Sequence, residues 1–187
     1  MQATDETVEV WDPLVRLTHW SLALCFGGAY WLGGDWLGLH AQFGYIVLLL
    51  LGFRIIWGFV GSEYARFKSF WPTLAGVVAY CQALGRRQQQ VHIGHDPLGS
   101  LMIYVLLLSL FLTAGSGVTL FAMEARGPLA GTLVASWPGY LVESVHHLAS
   151  DLTIILVVAH VCGVLIMGRL QRQPLVRAMV TGQKRVS

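Results

Sequence analysis

Four histidines, His19, His40, His146 and His160, lie within stretches apolar enough to enter a bilayer. Ionisable side chains at membrane depth are costly and usually face the bundle interior, where they mark function. A neutral imidazole is also a common metal ligand. The stretch 143–168, ESVHHLASDLTIILVVAHVCGVLIMG, carries three histidines and is long enough to cross a bilayer, which takes roughly 20 residues. At about 100° per residue, His146 and His160 point within about 40° of each other, while His147 points about 140° from His160. At about 1.5 Å per residue, the two same-face histidines are roughly 21 Å apart along the axis. That distance is too large for one metal ion and suits one site near each membrane surface.

The spans that would carry these residues follow from apolar runs and their punctuation. Asp12-Pro13 and Asp96-Pro97 both read as helix starts, with a capping aspartate before a proline at the first helical position. Spans are expected at about 13–32, 36–60, 97–122 and 143–168. Gly33-Gly34-Asp35 is a turn, and 123–140 is a connection containing Gly and Pro. The apolar run 71–84 covers only about half a bilayer and reads as an interfacial helix between the second and third spans. The fold class is therefore an all-α membrane protein, a bundle of four transmembrane helices forming a single domain over 1–187.

Composition supports this: 55% of the 187 residues are hydrophobic and only 12% are charged. Cys25, Cys81 and Cys162 are far apart and form no CxxC or CxxCH, which speaks against a zinc knuckle and against covalent haem attachment. They are expected to be buried structural thiols, packed as small hydrophobes. The acidic start, MQATDETVEV, lacks the basic region of a cleaved signal peptide, so the first span is expected to remain as a helix.

Orientation follows from Lys and Arg. Arg169, Arg172, Arg177, Lys184 and Arg185 occupy the tail, and Arg66, Lys68, Arg86 and Arg87 the segment after the second span. The connection before the fourth span has only Arg126, and the first turn has none. Positive charge marks the cytoplasmic side, so both termini are expected inside. Asp35, Glu124 and Glu143 then lie outside, either as ordinary solvated loops or as an acidic face that steers a basic partner.

Depth sorts the histidines into two pairs. His40 and His146 are shallow on the outer side, whereas His19, roughly 9 Å into its span, matches His160 on the inner side. Two imidazoles from different helices, twice over, suit bis-histidine haem iron, whereas a zinc site would want more ligands. Gly44 lies one turn from His40, and Gly163 three residues from His160, where a flat macrocycle needs small neighbours. Arg54 shares the His40 face but lies 14 positions further on, at inner depth, and Arg16 is one turn before His19. Both are candidate partners for the inner haem's propionates, although Arg54 could equally snorkel to the interface. His92 and His95 read as surface or capping residues, or else as proton handlers near a quinone.

The stretches WDPLVRLTHW (11–20), HAQFGYIVLLLLGFRIIWGFVGSEYARF (40–67), HDPLGSLM (95–102), HHLASDLTIILVVAHVCGVL (146–165) and VRAMVTGQK (176–184) resemble the bacterial cytochrome b561 and hydrogenase b-type cytochrome family. The resemblance covers nearly the whole chain. It implies a four-helix bundle in the bacterial inner membrane holding two haems b, with iron ligands falling on His19, His40, His146 and His160. It also implies exchange of electrons with quinone and with a periplasmic or membrane redox partner, a c-type cytochrome or a dehydrogenase or hydrogenase subunit. Nucleic acid is not an expected partner. One departure is His147, where such proteins often have an acidic residue. An electron-transfer subunit is the leading expectation. A self-contained quinone oxidoreductase acting on a small outer substrate such as superoxide is the alternative.

Overall fold

Two aspartates start two of the helices. Asp12 Oδ1 accepts from the Val15 amide at 2.9 Å, and Asp96 Oδ1 accepts from the Gly99 amide at 2.7 Å. Each satisfies a donor that has no partner within its own helix, and a proline takes the first helical position, where no N–H is needed. In this computed structural model the described residues are 6–33, 36–86, 88 and 92–186. Gly34 and Asp35 of the first turn, Arg87 and the first five residues lie outside them, as does the side chain of Arg185.

In chain order the elements are β1 (Glu6–Glu9), α1 (Pro13–Leu32), α2 (Leu37–Val60), α3 (Leu74–Gly85), α4 (Pro97–Met123), α5 (Gly139–Leu170), α6 (Leu175–Thr181) and β2 (Gln183–Val186). Among the described residues, α2, α4 and α5 are long and apolar enough to cross a membrane. The 20 residues of α1 are helical over the first expected span. Helix α3 falls in the apolar run after α2 and is capped by Thr73, whose hydroxyl accepts from the Gly76 amide at 3.1 Å.

The chain divides into two compact units. One comprises residues 1–17, 54–104 and 158–187, the other 18–53 and 105–157. In the first, β1 pairs antiparallel with β2, with Thr7 opposite Arg185 and Glu9 opposite Gln183. The strand pair was not anticipated, because four-residue strands next to long apolar helices give a weak signal. Gly182 makes the junction possible. Its φ of +87° ends α6 in the left-handed region, and its carbonyl accepts from the Val10 and Trp11 amides. A Cβ there would stand 2.7 Å from the Trp11 carbonyl oxygen. Val10, Trp11 and Ala178 form the small core of this end.

In the same unit Asp12 Oδ2 accepts from Trp57 Nε1 at 3.1 Å and from the Ser62 hydroxyl. Burial pushes the Asp12 carboxyl up, but hydrogen bonds from Ser62, Val15, Trp57 and Leu14 outweigh it and hold the group below its ordinary range. The second unit has a core of Phe26, Val47, Leu51, Leu110 and Ala114. Leu24, Leu49 and Leu148 are more than 70% exposed there, as a hydrocarbon-facing surface requires.

Candidate functional site

His40 lies in the first turn of α2. Its Nδ1 is 2.8 Å from the carbonyl oxygen of Ala29 on α1. A carbonyl can only accept, so Nδ1 carries the proton and Nε2 keeps a lone pair. His146, two turns into α5, repeats this arrangement with the Thr113 carbonyl of α4 at 2.9 Å. A second nitrogen anchored on a carbonyl is how metal-binding histidines are commonly oriented. The two rings have centroids 6.0 Å apart and planes 82° apart. With metal–nitrogen bonds of about 2 Å, imidazoles on opposite sides of one ion have centroids ~6 Å apart.

Both rings line a cavity of about 700 Å³ within this unit. Its volume is that of a pocket for a substantial organic ligand, roughly 300–1,000 Å³. Gly44 is in its wall, and a Cβ added there would meet nothing within 4 Å. Among the described residues no group of three or more His, Cys, Asp or Glu side chains converges. A lone imidazole pair suits a metal whose other positions are filled by a macrocycle, so the residues present fit a haem. The lining also includes Glu124, Glu143 and Asp151. His147, the other candidate on α5, is largely exposed, with Nε2 3.9 Å from Glu143 Oε1.

The remaining candidates divide between the units: His19 is in the second, and His160, Arg16 and Arg54 are in the first. His19 is half-buried, edge-on to Trp20 at 5.1 Å, and His160 is half-buried on α5. Arg54 is buried. Its Nη2 donates to the Ala65 carbonyl at 3.2 Å, its guanidinium stands 5.0 Å from the centre of the Phe67 ring, and its Nη1 is buried without a hydrogen bond among the described residues. The Nη1 of Arg16 donates to the Val180 carbonyl, and its Nε is likewise buried without a hydrogen bond among the described residues. Each arginine therefore retains a donor for an anion. Gly163 has open space beside it.

His95 is half-buried and does not cap α4, contrary to the capping role read from sequence. Asp96 caps α4, while the His95 ring packs between Trp11 at 4.4 Å and Phe70 at 4.6 Å. Burial, helped by the cations of Lys184 and Arg54 and by His160, pushes its pKa down to about 3, so it is neutral at ordinary pH. Nearby, burial and the Asp96 carboxylate push Tyr80 up to about 12. Sequence reasoning missed Thr113, Ser116 and Gly117, which surround the His146 ring. The signal was the run LTAGSGVTL in the one span without a histidine: small and hydroxyl residues mark close helix–helix approach.

Apolar helices of crossing length and an imidazole pair beside a large cavity are features of a membrane haem protein. The chain belongs to the prokaryotic cytochrome b561 family, whose model matches residues 10–182. It is an integral membrane b-type cytochrome that transfers electrons on haem b. Relatives include proteins named probable Ni/Fe-hydrogenase B-type cytochrome subunit from Rhizobium leguminosarum bv. viciae and Azotobacter vinelandii. The first is 25% identical over 96% of this chain and 89% of its own length. The second is 28% identical over 94% of this chain and 87% of its own length. No solved structure matches the chain.

Proposed function

We propose that the whole chain, 1–187, acts as one di-haem domain relaying electrons between the quinone pool and a redox partner on the outer side of the inner membrane. The observation that carries this reading is the His40–His146 pair, with both Nδ1 atoms on backbone carbonyls and both rings on one cavity. These two would hold an outer haem, with Gly44 leaving it space. Sequence depth alone assigns His19 and His160 to an inner one. A bound haem would supply a one-electron couple, and ligation by an imidazole pair would favour relay over oxygen binding. The unpaired donors of Arg54 and Arg16 are free to bind propionates.

Four crossings are part of the proposal, with α3 lying in the interface. Their support is the β1–β2 pair. It puts both chain ends on one side, so the number of crossings between them is even. Three helices qualify by length and apolarity, which leaves α1 as the fourth. The Lys and Arg distribution supports assigning that side to the cytoplasm. The names of the relatives suggest a hydrogenase as partner. A c-type cytochrome or another dehydrogenase would fill the same role. The superoxide alternative fits less well, because Glu124, Glu143 and Asp151 line the outer cavity. Arg126, exposed on the same connection, is 3.5 Å from Glu124.

Haem content and redox titration test the reading. The wild-type chain should carry two low-spin haems. His40→Ala and His146→Ala should lose the outer one, His19→Ala and His160→Ala the inner one, and His147→Ala neither. Loss of a haem in His147→Ala, with His146→Ala unaffected, would reverse the assignment.

A further inference from the structure

The ring of His146 is seated by three consecutive features of α4. The Thr113 carbonyl accepts from Nδ1–H at 2.9 Å. Ser116 Oγ stands 3.3 Å from the same nitrogen. Gly117 supplies the space: a Cβ there would be 2.9 Å from Cε1 and 3.2 Å from Nδ1 of the imidazole. Contacts under 3.0 Å require something to shift, and the three atoms nearest that Cβ all belong to the His146 ring.

The direction of the Ser116 contact follows from counting protons. The hydroxyl has one, and carbonyl oxygens of its own helix are within reach, Leu112 at 2.6 Å and Thr113 at 3.0 Å. Toward His146 it therefore offers a lone pair. The Nδ1–H is shared between two acceptors, the Thr113 carbonyl and the Ser116 hydroxyl. Were the hydroxyl to turn and donate to Nδ1, the ring proton would move to Nε2, and no lone pair would remain for a metal.

We infer that Ser116 and Gly117 are positioning residues for the outer metal ligand: Gly117 admits the His146 ring, and Ser116 adds electron density to it through Nδ1–H. The inference rests on the proposed ligation by His146 Nε2. An imidazole that donates more strongly through Nδ1–H is a more basic ligand through Nε2. Stronger donation stabilises the oxidised iron and lowers its potential. Removing the hydroxyl should act oppositely.

The test is redox titration with low-temperature EPR on the full-length protein. Ser116→Ala should keep two haems, raise the midpoint potential of the outer one alone and shift its low-spin g values. Ser116→Thr keeps the hydroxyl and should restore both properties. Gly117→Ala should lose the outer low-spin signal while retaining the inner haem, whose presence shows that the bundle is assembled. An unchanged outer potential and unchanged g values in Ser116→Ala would overturn the role of Ser116. An intact outer signal in Gly117→Ala would overturn the role of Gly117. His146→Ala is the control for the underlying reading: if it retains the outer haem, the ligand assignment fails, whatever the Ser116 variants do.

Discussion

Arg54 shows how much one buried cation can decide. One side of its guanidinium is occupied by the Ala65 carbonyl and the Phe67 ring, and Nη1 remains for an anion. A cation within about 8 Å of the proposed inner iron, at an effective dielectric of about 20, is worth about 2 kcal/mol. For a one-electron couple that is on the order of 90 mV. Arg54→Leu should lower the inner potential by that order and leave the outer one alone. Arg54→Lys should lower it less, since it keeps the charge and loses the planar fork. Redox titration of both variants measures this, and an unchanged inner potential in Arg54→Leu would reduce Arg54 to an interface anchor.

His95 makes a prediction about pH. Its pKa is about 3 in the fold and about 6.5 when the chain is unfolded. Between those values the unfolded chain holds one more proton, so stability is full above about 6.5 and falls as pH falls toward 3. The slope from this residue is about 1.4 kcal/mol per pH unit. The apparent melting temperature in detergent should drop between pH 6.5 and 5. His95→Phe, which can pack between Trp11 and Phe70, should flatten that drop.

At the scale of elements, α4 and α5 share buried hydroxyls in the second unit, beside the apolar cluster that includes Leu110, Ile154 and Val157. Thr153 is fully buried and donates to the Ala149 carbonyl at 2.7 Å. Its Oγ1 also meets the Ser109 hydroxyl, and lies 3.2 Å from Thr113 Oγ1. Apolar contact discriminates little between helices in lipid, so small residues and shared hydroxyls set which faces approach. The same Thr113 whose hydroxyl lies in this contact presents its carbonyl to the His146 ring. Thr153→Val is nearly isosteric and should cost about 0.5–1.5 kcal/mol. The expected result is lower thermal stability together with earlier loss of the outer haem on heating. Loss of stability with the outer haem retained would separate the hydroxyl contact from the site.

For the whole molecule, the decisive feature is the pairing of the two ends. β1 and β2 close the first unit. In the proposed topology the number of crossings is even, and the excess of cations at Arg66, Lys68, Arg169 and Arg177 supports an inside position for the paired ends. Reporters fused before residue 1 and after Ser187 should both read cytoplasmic, and one inserted between Gly127 and Gly131 should read periplasmic. A C-terminal reporter active only in the periplasm would break both the topology and the assignment of α1 as a crossing helix.

Features that depend on near neighbours in the chain were legible in the sequence. Helix limits at Pro13 and Pro97 follow from local capping chemistry, and the helical repeat separates His146 from His147 by angle alone. The 14-residue spacing of His146 and His160 likewise sets their separation without any knowledge of packing. What only the tertiary structure decided are relations across helices. No local rule says that Gly117 faces His146, that the Ala29 and Thr113 carbonyls set two tautomers, or that His95 lies between Trp11 and Phe70. Nor could it show that residues 6–9 pair with 183–186. Local rules act through the covalent backbone over about one turn of helix, whereas these contacts join residues brought together only when separate elements pack.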